Sequence, residues 1–221
     1  MNELKTNLSK VLDVPYYQQT NYQTCGPAAL MMVMKYWDEK VEFSKDFEYK
    51  IWKKAKSISL KGGTLQFRMA SYAKIKGFTV EIYQKQKYSN YHKFGKIFYS
   101  LFEFILSYKN RRLKIPIRYG KDIIYVIKNA LSKKIPPIVF LNLEPITGEN
   151  VFHWLVVTGL KENIVYVNDP DISDDLNDKI KKNIAIDLDV FRKAIATDTF
   201  KKLTFPFSFL DFPPCVVLVN K

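Results

Sequence analysis

Cys25-Gly-Pro-Ala-Ala-Leu-Met-Met-Val-Met-Lys-Tyr-Trp37 is the stretch on which the reading of this chain turns. Pro27 suits the first turn of a helix, and the Ala/Leu/Met run behind it continues one. The run is apolar on nearly all sides, which predicts a buried central helix. Cys25 therefore stands where loop becomes helix. The partial positive charge and free N–H groups of that end favour a thiolate over a thiol. Gly26 leaves room for a substrate carbonyl to approach the backbone. The plainer reading is a small buried hydrophobe, the usual fate of a free cysteine. Cys215, inside the apolar run Cys215-Val-Val-Leu-Val, fits that description far better.

Working outward, Asp13-Val-Pro-Tyr-Tyr-Gln-Gln reads as extended, because the residue before a proline is biased away from helix. Helices are predicted over 43–54, 65–76 (after Gly62-Gly63-Thr64), 90–108 and 122–132, with a short one near 189–196. In the fourth of these after the Cys25 helix is counted, Phe94, Ile97, Phe98, Leu101, Phe102, Ile105 and Leu106 recur at helical spacing and are expected to face the core. Strands are predicted over 78–83, 137–143, 152–158, 164–168 and 215–219, where the pattern turns to period two or to continuous β-branched runs. Helices come first and most of the sheet last. That order predicts an α+β fold, with N-terminal helices packed on an antiparallel sheet. At 221 residues, one domain spanning 1–221 is expected, with a basic, aromatic-rich helical insertion at about 88–119.

Composition excludes several classes. With 47% apolar, 15% aromatic and 26% charged residues, the chain is neither disordered nor collagen-like. No apolar run approaches the ~18 residues of a membrane span, and Met1-Asn-Glu-Leu-Lys has no signal-peptide core. Two distant cysteines do not make a disulfide framework or a metal cluster, and a cytoplasmic location is expected. The net charge is +13, and it is concentrated: residues 85–134 hold 13 Lys or Arg against Glu103 and Asp122 alone. Such a block attracts an acidic peptide, a nucleic acid or an anionic membrane surface, while a solvated lysine-rich face is the plainer reading.

A cysteine nucleophile benefits from a base, and the chain has two histidines. His92 sits in the basic aromatic stretch without an evident partner. His153 starts a strand, and a hairpin with a three-residue loop centred on Lys161 would set it opposite Asp169. Directly opposed residues have Cβ atoms about 4.5–5.5 Å apart, within reach of a carboxylate–imidazole hydrogen bond. An oxyanion donor is also needed, and Gln19 in the extended entry segment could converge with the backbone N–H of Cys25. Gln18 competes, and spacing does not separate the two. The acidic run Asp169, Asp171, Asp174, Asp175 lacks the glycine and terminal glutamate of a calcium loop, so a solvated loop is favoured. No cofactor or metal is expected.

In their order along the chain these residues resemble a known family. Gln19-Thr-Asn-Tyr-Gln-Thr-Cys25-Gly-Pro-Ala-Ala-Leu is similar to the nucleophile segment of the papain-like bacteriocin-processing (double-glycine leader) peptidases and their stand-alone C39-like relatives. Lys61-Gly-Gly-Thr, Lys76-Gly-Phe-Thr-Val, Pro137-Ile-Val-Phe, Phe152-His153-Trp-Leu-Val-Val-Thr-Gly and Val165-Tyr-Val-Asn-Asp169-Pro follow in the matching order. The resemblance covers roughly residues 11–82 and 120–196. It implies a papain-like fold, with Gln19 as oxyanion glutamine, Cys25 as nucleophile, His153 as base and Asp169 as orienting acid. It departs from the exporter-linked enzymes in showing no membrane spans and no phosphate-loop motif. The expected activity is a cysteine peptidase acting on a peptide or protein substrate through a thioester. An acyltransferase or deamidase on the same residues is the alternative, and a non-catalytic basic binding module the third; nucleic acid is not the expected partner.

Overall fold

The computed structural model describes residues 11–56, 63–87, 96–172, 181–196 and 214–221. The elements run α1 (Cys25–Trp37), α2 (Lys45–Ala55), α3 (Gln66–Ile75), β1 (Thr79–Gln84), α4 (Lys96–Arg112), β2 (Ile117–Tyr119) and α5 (Ile123–Ser132). They continue as β3 (Ile138–Asn142), α6 (Glu144–Thr147), β4 (Phe152–Lys161), β5 (Ile164–Asn168), β6 (Ile184–Asp187), α7 (Leu188–Ala194) and β7 (Cys215–Asn220). The strands form one sheet in the order β2-β1-β7-β3-β4-β5-β6.

The central strands are buried on both faces, which is why β3, β4 and β7 read as continuous runs rather than clean alternations. Alternate residues go to different layers. Ile138, Phe140, Trp154, Val156, Cys215 and Val217 join α1, α2 and α3 on one side. Val139, Leu141, Leu155, Val157 and Val216 join α5 and α7 on the other. The N-terminal helices thus pack on the sheet as expected, and a second helical layer covers its opposite face. Every pair is antiparallel except β1 with β2, which run parallel.

Helix α1 lies at the centre of the first layer, with Cys25 through Met34 all buried. Ser44 caps α2 by accepting from the Phe47 N–H, and Asp122 and Asp187 cap α5 and α7 in the same way. Trp37 ties the far end of α1 to the sheet by donating its indole N–H to the Val219 carbonyl at 2.9 Å.

Two expectations need correction. Helix α4 does not turn Leu101 and Ile105 to the core: both are exposed, and the buried positions among its described side chains are Glu103, Ser107 and Asn110. Tyr119 donates to Glu103 at 2.7 Å and Ser71 of α3 donates to the Asn110 carboxamide oxygen at 3.1 Å, while the Asn110 amide nitrogen has no partner among the described residues. Phe94, His92 and the side chains of Ile97, Phe98, Phe102 and Leu106 lie outside what is described. The β4–β5 hairpin also differs. Lys161 pairs with Ile164, leaving a two-residue turn in which Glu162 takes a left-handed conformation at φ 52, and a register shift follows between Val157 and Gly159. Among the described residues no helix is long and apolar enough to cross a membrane.

Candidate active site

The extended segment before α1 is braced from three directions. The Gln19 N–H donates to the Pro170 carbonyl at 2.8 Å. Buried Glu48 of α2 accepts from the Thr20 N–H at 2.9 Å, the Thr20 hydroxyl at 2.6 Å and the Tyr17 hydroxyl at 3.1 Å. Asn21 and Thr24 close a tight turn, in which the Thr24 hydroxyl donates to the Asn21 carbonyl at 2.6 Å. That bond diverts Thr24 from capping α1, whose N-cap side chain makes no hydrogen bond to the first turn.

Gly26 follows. A Cβ there would lie 2.7 Å from the Thr64 Cβ. The space its hydrogen leaves is therefore filled by Thr64, contrary to the expectation that it admits a substrate carbonyl. Thr64 is held in turn, its carbonyl accepting from the Trp154 indole N–H at 3.2 Å.

His153 and Asp169 meet from neighbouring strands. The Nε2 of His153 lies 2.7 Å from Asp169 Oδ1, and both side chains are largely buried. They meet although the expected direct pairing does not occur. With Asn168 opposite Val156, the next residue falls against Leu155, so Asp169 reaches His153 along the diagonal. The second carboxylate contact comes from the Asp171 N–H, which donates to Asp169 Oδ1 at 3.0 Å.

Cys25 lies near enough to act on the His153 imidazole electrostatically. Since Nε2 is engaged by Asp169, Nδ1 is the nitrogen left for the sulfur. Burial alone would lower the imidazole pKa; the charges of Asp169 and Cys25 and the Asp169 hydrogen bond outweigh it and raise it well above 6.5. Burial likewise pushes the Asp169 carboxyl upward, and the imidazolium with the Asp171 N–H brings it below 3.8. Cys215 has no such company, and burial drives its thiol pKa well above the usual 9.0.

The two glutamines part company. Gln19 is buried, and its carboxamide oxygen finds no partner among the described residues. Gln18 points outward, with Nε2 3.5 Å from the Asp171 carbonyl. The structure thus joins His153 to Asp169 by a 2.7 Å contact, brings Cys25 within electrostatic reach of the imidazole, and anchors Gln19 by its backbone to the residue after Asp169. A cavity of about 300 Å³ opens beside this segment, lined in part by Thr20, Asn21, Thr24, Tyr49 and Trp52. Asp171 is paired with Lys181 at 3.0 Å, Asp174 and Asp175 lie outside the described residues, and no metal-binding cluster occurs among those described.

Residues 14–205 match the Peptidase C39-like family over most of the chain. The chain belongs to that family. Its α+β fold is that of papain-like C39 peptidases: a crystal structure described as a C39-like peptidase from Bacillus anthracis superposes with a TM-score of 0.52 at 13% identity, covering 96% of this chain and 98% of that one. Two further solved structures match at 15% identity. One is a double-glycine-motif protease from an AMS/PCAT transporter in complex with the leader peptide, with a TM-score of 0.49 and 96% of each chain covered. The other is the peptidase domain of Streptococcus ComA, a bifunctional ABC transporter of a quorum-sensing pathway, with a TM-score of 0.47, covering 92% of this chain and 96% of that one. No curated protein sequence matches this C39-like chain.

Glu48 was not anticipated as part of this site. In sequence it is one acid in a charged amphipathic helix, and only the fold reveals that it is buried against the Gln19 segment.

Proposed function

We propose that this C39-like chain is a cysteine peptidase in which Cys25, His153 and Asp169 form the catalytic triad and Gln19 assists at the oxyanion. The observation that carries the reading is the buried 2.7 Å imidazole–carboxylate contact of His153 with Asp169, with Cys25 at the start of α1 close enough to act on the imidazole. The Cys25 thiolate attacks the scissile carbonyl carbon, and the carbonyl π electrons move onto oxygen. The resulting oxyanion accepts from the Gln19 side-chain N–H and the Cys25 backbone N–H. His153 gives its Nδ1 proton to the leaving amine as the C–N bond breaks, leaving a thioester. Water, deprotonated by His153, then attacks the thioester; the C–S bond breaks, releasing the acid and restoring the thiolate. Asp169 holds the imidazole tautomer and offsets its positive charge throughout.

The substrate is a peptide or protein. The net charge of +13 favours an acidic one by long-range attraction. The test compares peptide extracts incubated with the wild type and with Cys25→Ala, with new N-termini mapped by mass spectrometry. New termini in the wild-type sample alone are expected. Identical inventories, together with no acylation of Cys25 by peptide electrophiles, would remove this reading.

A further inference from the structure

Among its described side chains, helix α4 turns apolar groups outward. The described buried positions are Glu103, Ser107 and Asn110, whereas Leu101, Phe104, Ile105 and Tyr108 are 55%, 47%, 60% and 51% exposed. The spacing of these four residues places them in one stripe along the helix. Single exposed apolar residues need no explanation, but a stripe of four, two of them aromatic, does.

The charges around the stripe identify what covers it. The only acid of α4 is Glu103, and it is turned inward onto Tyr119. The basic residues of the last turn are Lys109, Arg111 and Arg112. At 100° per residue, Lys109 and Arg111 project roughly 70–90° to either side of the stripe, and Arg112 continues its line. All three are exposed. The Arg111 guanidinium lies 4.5 Å from the centre of the Phe104 ring, its stem lying along the apolar surface with the charge at the edge. An apolar stripe flanked by cations at its C-terminal end suits a helix lying in the plane of an anionic bilayer.

We propose that α4 is a peripheral docking surface for anionic membranes, with Leu101, Phe104, Ile105 and Tyr108 entering the acyl boundary and Lys109, Arg111 and Arg112 meeting lipid headgroups. The surface acts independently of the chemistry at Cys25. With 17 residues, α4 lies about 25 Å along the surface rather than across it.

Co-sedimentation of the full chain with vesicles tests this, using phosphatidylcholine alone and phosphatidylcholine mixed with phosphatidylglycerol. The wild type is expected to bind the mixed vesicles and to release as salt rises. Phe104→Ser with Ile105→Ser should reduce partitioning at least about tenfold, at about 0.8 kcal/mol per CH₂ no longer buried. Replacing Lys109, Arg111 and Arg112 with Gln should reduce it on the order of a hundredfold. Because these side chains are exposed, unchanged thermal unfolding is expected of both variants, and Cys25→Ala should bind as the wild type does. Binding that ignores lipid charge or either set of changes would overturn the proposal. So would absence of binding, or a stripe that only drives self-association of the free protein in sedimentation velocity.

Discussion

The Gln19 N–H donates to the carbonyl of Pro170 across 2.8 Å, joining the segment that leads to Cys25 to the loop that holds Asp169. One backbone hydrogen bond therefore links the helical side of the site to the sheet side. It leaves the Gln19 side chain free of any backbone duty, buried and with its carboxamide oxygen unpartnered among the described residues. A buried polar atom in that state costs about 1–3 kcal/mol, which a bound substrate amide can offset. On the proposed mechanism Gln19→Ala lowers kcat by about 10²–10³-fold, the usual loss for one oxyanion donor. KM should change little. Steady-state kinetics on any cleaved peptide would decide; a variant with wild-type kcat would exclude Gln19 from the oxyanion site.

Iodoacetamide at neutral pH is expected to label Cys25 much faster than Cys215 in the folded protein. Cys25 begins α1, where Thr24 makes no side-chain cap, and interacts electrostatically with the His153 imidazole, whereas Cys215 is sealed in the central strand with its pKa raised by burial. Peptide mapping after brief alkylation gives the ratio. Equal labelling would remove the case for an activated nucleophile.

The positions of α1 and the two-sided strands were legible because single residue types carry them: Pro27 starts the helix, and the β-branched runs of β3 and β7 admit no exposed face. Other features were not. The aromatic period of α4 groups Leu101 with Ile105 but is silent on which side faces inward. That was decided by Tyr119 and Ser71, which give partners to Glu103 and Asn110. The β4–β5 turn was misjudged because Lys161-Glu162-Asn163 contains no glycine to mark the tight reversal that Glu162 makes at φ 52. Strand β2 has only three residues and is held by pairing with β1, too short for alternation to show. Gln18 and Gln19 are chemically identical, and burial alone separates them.

Asp169→Asn should lower turnover far less than Cys25→Ala. An asparagine oxygen at the same place still accepts from Nε2–H at about the observed distance, preserving the tautomer while the charge is lost. Cys25→Ala removes the bond-forming atom altogether. Comparing kcat for the two variants checks this; equal losses would mean that the Asp169 charge, and not its orienting contact, is what the reaction requires.

Gly26→Ala is expected to destabilise the fold by about 1–3 kcal/mol, the usual range for overpacking. The new methyl would meet the Thr64 Cβ at 2.7 Å, and Thr64 has little freedom to retreat while its carbonyl holds the Trp154 indole. Urea unfolding measures the loss. A variant as stable as the wild type would show that the Thr64 segment yields, and that Gly26 is not required for this close approach.

The His153–Asp169 pair also links folding to pH at both ends. For Asp169, burial alone would raise the pKa, but His153 and the Asp171 N–H hold it below 3.8; its stabilising contribution is present above the unfolded value and lost as pH falls through the folded one. For His153, burial opposes the charge, but Asp169 and Cys25 outweigh it and raise the pKa well above 6.5. That contribution is complete below the unfolded value and is lost as pH rises through the raised one. The stability difference between wild type and His153→Ala should therefore be largest between pH 3.8 and 6.5, where both groups are charged in the fold. It should shrink on the acid side as Asp169 protonates, and on the alkaline side as the imidazolium loses its proton. Urea unfolding of both proteins across pH provides the curve; a difference that is flat with pH would mean that the pair is not ionised in the folded protein.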